Sequence, residues 1–93
     1  MNKTDLIMEI SSATGLTKKD AATALDATLD SIKTALSEGD TVSILGFGTF
    51  SVKERPEREG RNPATGEIIT IPARWNPSFR AGKALKEAVN KPS

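Results

Sequence analysis

Residues 53–74 read KERPEREGRNPATGEIITIPAR, and the rest of the chain has to be arranged around them. The outgoing limb, Lys53 to Glu59, is almost entirely charged, whereas the returning limb, Glu67-Ile68-Ile69-Thr70-Ile71-Pro72, is β-branched and strand-forming. Between them lies Gly60-Arg61-Asn62-Pro63-Ala64-Thr65-Gly66. Pro63 holds φ near the value that the second position of a common turn requires, and Gly66 closes the turn. The pattern predicts a two-limbed β-ribbon with a tight tip. A charged strand interrupted by Pro56 does not belong in the middle of a sheet, because proline offers no ladder donor and the charges would have to be desolvated. The ribbon is therefore expected to project from the body and to hold something.

Working outward, 93 residues make one small domain with no room for a second. The apolar fraction of 37% owes much to alanine; the large apolar side chains are 7 Ile, 7 Leu, 3 Val, 2 Met, 3 Phe and one Trp. Several of the isoleucines fall in the ribbon, beyond the reach of a core. A core this modest predicts oligomerisation, which supplies the missing burial. With no cysteine there is no disulfide framework, and no run of sequence resembles a signal peptide or a membrane span. The expectation is a soluble intracellular protein.

The net charge of +1 hides an asymmetry. Residues 1–45 carry four basic groups (Lys3, Lys18, Lys19, Lys33) against seven acidic ones, whereas residues 46–93 carry nine basic against five acidic. That polarity fits a polyanionic partner for the second half. It fits an ordinary solvated surface equally well.

Before the ribbon, Asn2 or Thr4 caps a helix running to about Thr14, with Gly15 as its left-handed stop. Leu6, Ile10 and Ala13 share one face. Thr17 and Asp20 have capping-box spacing, and Leu16 is placed to staple onto Ala21. The second helix then runs to about Ser37, with an apolar stripe of Ala21, Leu25, Leu29, Ile32 and Leu36. The two helices form an α-hairpin with unpartnered stripes. Thr41 to Leu45 and Thr49 to Lys53 alternate as strands around Gly46-Phe47-Gly48, a hairpin turn that throws Phe47 inward. After the ribbon, Pro77 to Arg80 ends a strand segment. A last helix runs from Gly82 to about Asn90 with Leu85, Ala88 and Val89 inward. Arg80, Lys83 and Lys86 gather at its start, where the helix dipole is already positive. On its own that fits a solvated face. With Arg55, Arg58 and Arg61 on the ribbon, it points to bound phosphate.

Gly46-Phe47-Gly48-Thr49-Phe50, the Gly60 to Gly66 tip, and Phe79-Arg80-Ala81-Gly82-Lys83-Ala84-Leu85 stand at the spacing seen in the bacterial HU/integration host factor family. The resemblance covers essentially the whole chain, and its Arg-Asn-Pro-x-Thr-Gly tip is its most specific part. The family is itself a type example of β-ribbon and minor-groove architectural binding. The resemblance implies an α+β fold in an intertwined dimer. A helical hairpin (1–39) serves dimerisation, a sheet saddle spans 40–53 and 74–80, an arm spans 54–73, and a short helix spans 81–91. It implies that Leu6, Leu29, Ile32, Leu36, Ile44, Phe47, Phe50 and Phe79 are buried between protomers. Pro63 becomes an apolar wedge between base pairs, with Arg61 and Asn62 beside it in the minor groove. Lys53, Arg55, Arg58, Arg74, Arg80, Lys83, Lys86 and Lys3 take phosphates, as do backbone amides around Gly46 and Gly48. The partner is double-stranded DNA, bent and wrapped with little sequence preference in the bacterial cytoplasm and nucleoid. The assembly is a homodimer, or a heterodimer with a paralogue. No cofactor, metal, membrane or small-molecule substrate is expected.

The chain departs from the family pattern twice. Trp75-Asn76 stands where a basic or polar residue and a small apolar one are usual; Trp75 has three places open to it, packed at the ribbon base, in the core or against DNA, of which the core is the expectation. Glu54, Glu57, Glu59 and Glu67 keep the net charge low, which predicts weaker binding to plain duplex or a preference for prebent sites. An enzyme is not expected, since histidine and cysteine are absent and there is no Gly-rich phosphate loop before a helix and no metal-ligand grouping. The alternatives are a site-preferring, integration-host-factor-like subunit and a structural dimer with weakened DNA binding.

Overall fold

The computed structural model describes residues 1–91. Its elements, in order, are α1 (Lys3–Thr14), α2 (Lys18–Ser37), β1 (Val42–Ile44), β2 (Gly48–Arg55), β3 (Arg58–Arg61), β4 (Ile68–Ile71), β5 (Arg74–Ala81) and α3 (Lys83–Val89). The chain forms two compact units, Met1–Ala35 and the residues from Leu36 onward.

In the first unit, Asn2 rather than Thr4 caps α1. Its side chain accepts from the Asp5 N–H at 2.9 Å, and the Asp5 carboxylate accepts from the Asn2 N–H at 3.1 Å, closing a capping box. Gly15 ends the helix at φ 77°, in the left-handed region. Thr17 accepts from Asp20 N–H at 3.1 Å at the start of α2. Of the expected stripe on α2, only Ala21 and Leu25 are buried; Leu29 is 47% exposed, and Ile32 and Leu36 are half-buried. These are the only buried apolar side chains among the described residues.

The second unit holds two sheets. One is three-stranded, in the order β1-β2-β5, and the other is the β3-β4 pair. Pro77, expected at a strand end, lies inside β5. It is tolerated because β5 is an edge strand, where one side of the backbone needs no ladder partner. The pairing sums are constant from Gly48↔Ala81 out to Arg61↔Ile68, so the ribbon keeps one register along its length. The ladder is nevertheless interrupted at Pro56-Glu57 and Pro72-Ala73. Pro56, opposite Ala73 in that register, and Pro72, opposite Glu57, supply no N–H to bridge the gap.

Directly paired residues in an antiparallel ladder share a face. The register therefore sorts the three-stranded sheet into two. Val42, Ile44, Phe50, Val52, Phe79, Pro77 and Trp75 lie on one side, together with Glu54. The Phe79 ring packs against Phe50 at 4.7 Å and Phe47 at 5.5 Å between centroids, tilted in both cases. Four expectations are corrected here. The first strand is shorter than Thr41–Leu45, and Leu45 is wholly exposed in the turn. Phe47 is not thrown inward but lies 46% exposed over Phe79. Trp75 is 65% exposed, not in a core, because its register partner is Glu54 at the far end of the apolar face. On α3 only Leu85 is half-buried, while Ala88 and Val89 are exposed because this single chain places nothing over the helix's last turn.

Candidate nucleic-acid interface

The second face of the sheet carries Ser43, Thr49, Ser51, Ser78 and Asn76 with Lys53, Arg55, Arg74 and Arg80. It has four cations and no carboxylate. Arg55 is paired directly with Arg74. Like charges in register destabilise a ladder unless an anion lies between them. No carboxylate among the described residues lies within ion-pairing distance of any of these four cations. Glu54 is on the apolar face, so the alternation that turns Lys53 and Arg55 outward turns this acid away from them.

At the interruption between the two ladders lies a cleft of about 430 Å³. Arg55, Arg74 and Asn76 line it from the larger sheet, Arg58 and Ile71 from the smaller one, and Pro56 and Pro72 from the gap itself. The distal ladder is two-faced as well. Arg58↔Ile71 and Gly60↔Ile69 share one side, Glu59↔Thr70 and Arg61↔Ile68 the other. Glu59 is thus directed away from Arg58. Gly60 lies under the isoleucines: a Cβ there would come within 2.7 Å of Ile71 Cδ1. Ile69 and Ile71 close over a strand that has no side chain to hold them off.

The tip is built around Asn62. Its N–H donates to the Glu67 carbonyl at 2.8 Å, its carbonyl accepts from Gly66 N–H at 2.7 Å, and its Oδ1 accepts from Ala64 N–H at 2.9 Å. The side-chain bond reaches past Pro63, which has no N–H to give, and leaves that proline exposed at the apex. Gly66 has φ 75° with open space around it, so backbone conformation rather than room selects glycine.

The remaining expected contacts lie outside the arm. Lys3 Nζ pairs with Asp26 at 2.5 Å, and this hydrogen bond, with the charge behind it, raises the lysine's pKa. Lys83 lies 3.9 Å from Glu87, a long, exposed pair. Lys86 is exposed one turn into α3. Gly46 has the left-handed φ of 80°, and the neighbouring Phe47 N–H is already donated to Ile44 at 3.0 Å. Gly48 is buried, and a Cβ on it would lie 2.5 Å from the Phe79 ring. Its glycine is a packing requirement, distinct from the phosphate contact expected of it. Sequence reading missed the roles of Pro72, Asn76 and Asp26. The pairing of Pro56 with the Pro72 region was available from the register; the Lys3–Asp26 pair had no signal short of helix packing.

An α+β chain with a two-faced sheet continuing into a proline-broken, proline-tipped ribbon defines a class of ribbon-armed proteins. Residues 1–90 match the family model described as bacterial DNA-binding protein, and the chain belongs to that family. It is 57% identical over 90 residues to DNA-binding protein HU-1 of Halalkalibacterium halodurans, covering 97% of this chain and 100% of that one. DNA-binding protein HU of Geobacillus stearothermophilus is 56% identical over 89 residues, covering 96% and 99%. Among solved structures, an Anabaena HU–DNA cocrystal matches with a TM-score of 0.88 and 46% identity, covering 99% and 100% of the two chains. HU from Thermotoga maritima matches with a TM-score of 0.69 and 34% identity, covering 97% and 100%.

Proposed function

We propose that this chain is a non-enzymatic architectural protein that binds duplex DNA through the minor groove with little sequence preference, bending and stabilising it in the bacterial nucleoid. The observation that carries this reading is the sorting of charge by register: Lys53, Arg55, Arg74 and Arg80 share one face and Glu54 takes the other. DNA meets that face, and its local charge matters more than the chain's net +1. Arg58, Lys83 and Lys86 extend the phosphate contacts. Ile69 and Ile71 present an apolar strip suited to a groove floor, and Pro63, preset by the Asn62 turn, is the wedge. Insertion of the kind known for HU and its relatives costs a few kcal/mol of unstacking per step, offset by the wider contact that bent DNA makes.

The working unit is a homodimer. Leu6, Leu29, Ile44, Phe47 and Phe79 are each 39–47% exposed in the single chain, and only two apolar side chains are buried. Full burial of such a side chain from water yields roughly 1.5–3 kcal/mol, and a second copy supplies the part of it, somewhat under half, that the single chain leaves exposed. Leu36, Ile32 and Phe50, half-buried here, complete the interface. The test is a gel shift on linear duplex across a salt series, with mass in solution measured alongside. Binding that weakens steeply with salt, by a species of dimer mass, is expected; a monomer with no shift at low salt overturns the reading.

A further inference from the structure

The cleft at the ladder interruption, open to solvent on one side, differs from the rest of the cationic face in being lined by three arginines. We propose that it is a seat for a phosphomonoester, the 5′-phosphate of a nucleotide. The proposal rests on the DNA-binding reading for its setting. Arg55, Arg58 and Arg74 line the cleft, no carboxylate lines it, and none of the three has an ion-pair partner among the described residues. A phosphodiester in duplex DNA brings a single charge to such a site. A phosphomonoester brings about −1.5 to −2 charges at pH 7 and three strong acceptor oxygens. Guanidinium forks bind such oxygens in pairs, so three arginines are matched to the monoester and in excess for the diester.

The remaining lining fits the rest of a nucleotide. Pro56, Pro72 and Ile71 give apolar walls, and Asn76 adds one amide. At about 430 Å³ the cleft falls within the usual volume of small-ligand sites. The two prolines, one position out of step across the gap, create the opening, because neither has an N–H to donate. Duplex DNA offers a 5′-phosphomonoester at a nick or an end. A free nucleotide offers the same group, and the two sources are separable.

The test compares two duplexes with one central nick, bearing either a 5′-phosphate or a 5′-hydroxyl, bound to the full chain. Deoxyadenosine 5′-monophosphate and deoxyadenosine serve as competitors. The phosphorylated nick is expected to bind roughly tenfold tighter, the size of one further charge-assisted contact. Arg74→Gln, and separately Arg58→Gln, lower affinity for both duplexes and remove the ratio between them, with folding checked by circular dichroism. Competition by the monophosphate but not the nucleoside, with equal binding of the two nicks, assigns the seat to a free nucleotide. Equal binding of both nicks with no effect of the monophosphate overturns the seat and leaves DNA binding standing. Failure to bind any duplex at low salt overturns the DNA-binding reading itself.

Discussion

Lys3 is held by Asp26, so the phosphate contact proposed for this lysine would have to compete with that pair. Asp26→Asn is therefore expected to raise affinity for duplex roughly two- to threefold and to steepen the salt dependence, since it releases a cation. A gel-shift titration of the variant measures both. The same pair has a pH signature. Because the folded lysine's pKa is raised above 10.5, the stability it adds is complete below that pH and is lost as pH climbs through the raised value. Lys3→Gln should flatten that alkaline limb in thermal melts. Gly48 makes a different demand. A methyl group there meets the Phe79 ring and the Arg80 carbonyl at 2.5 and 2.7 Å, so Gly48→Ala should destabilise by about 1–3 kcal/mol in chemical denaturation. At Gly66 the surrounding space is open, and alanine should cost only about 1 kcal/mol of left-handed strain.

Among the elements, the helices were legible in advance because capping residues and stop glycines act locally: Asn2, Gly15 and Thr17 do what their types dictate. The ribbon and its tip were legible for the same reason. What could not be read was burial. Leu29, Phe47 and Trp75 carry the pattern of core residues, and pattern records only that a side chain is apolar, not which chain covers it. The placement of the arm's acids was half legible. Alternation from Phe50 through Val52 puts Glu54 on the apolar side, but the break at Pro56 resets the expectation for Glu59, and only the observed pairing with Thr70 settles it. The tip supports a direct prediction. Pro63→Ala keeps the Asn62 bonds to Ala64, Gly66 and Glu67, so the fold should survive while bending declines. Fluorescence transfer between labelled duplex ends reports this; unchanged bending by a well-folded variant removes the wedge.

At the scale of the whole molecule, the chain makes amphipathic surfaces and covers few of them by itself. That is the physical basis for the proposed dimer, whose thermal stability would depend on protein concentration. The midpoint of unfolding should rise as concentration is raised over two or three decades, and a constant midpoint would point to a self-sufficient monomer. The low net charge is also a whole-molecule property, and a misleading one, because Glu54 lies on the face opposite Lys53, Arg55, Arg74 and Arg80, which leaves the proposed DNA face cationic. The salt dependence of duplex binding tests this most directly, compared between the unmodified chain, Arg80→Gln and Glu54→Gln. The slope of log affinity against log salt counts neutralised phosphates at about 0.9 each. Arg80→Gln is predicted to lower that slope by about one contact per copy, while Glu54→Gln leaves it unchanged. A slope that is flat in the unmodified chain, or altered equally by both substitutions, contradicts a DNA interface set by strand register.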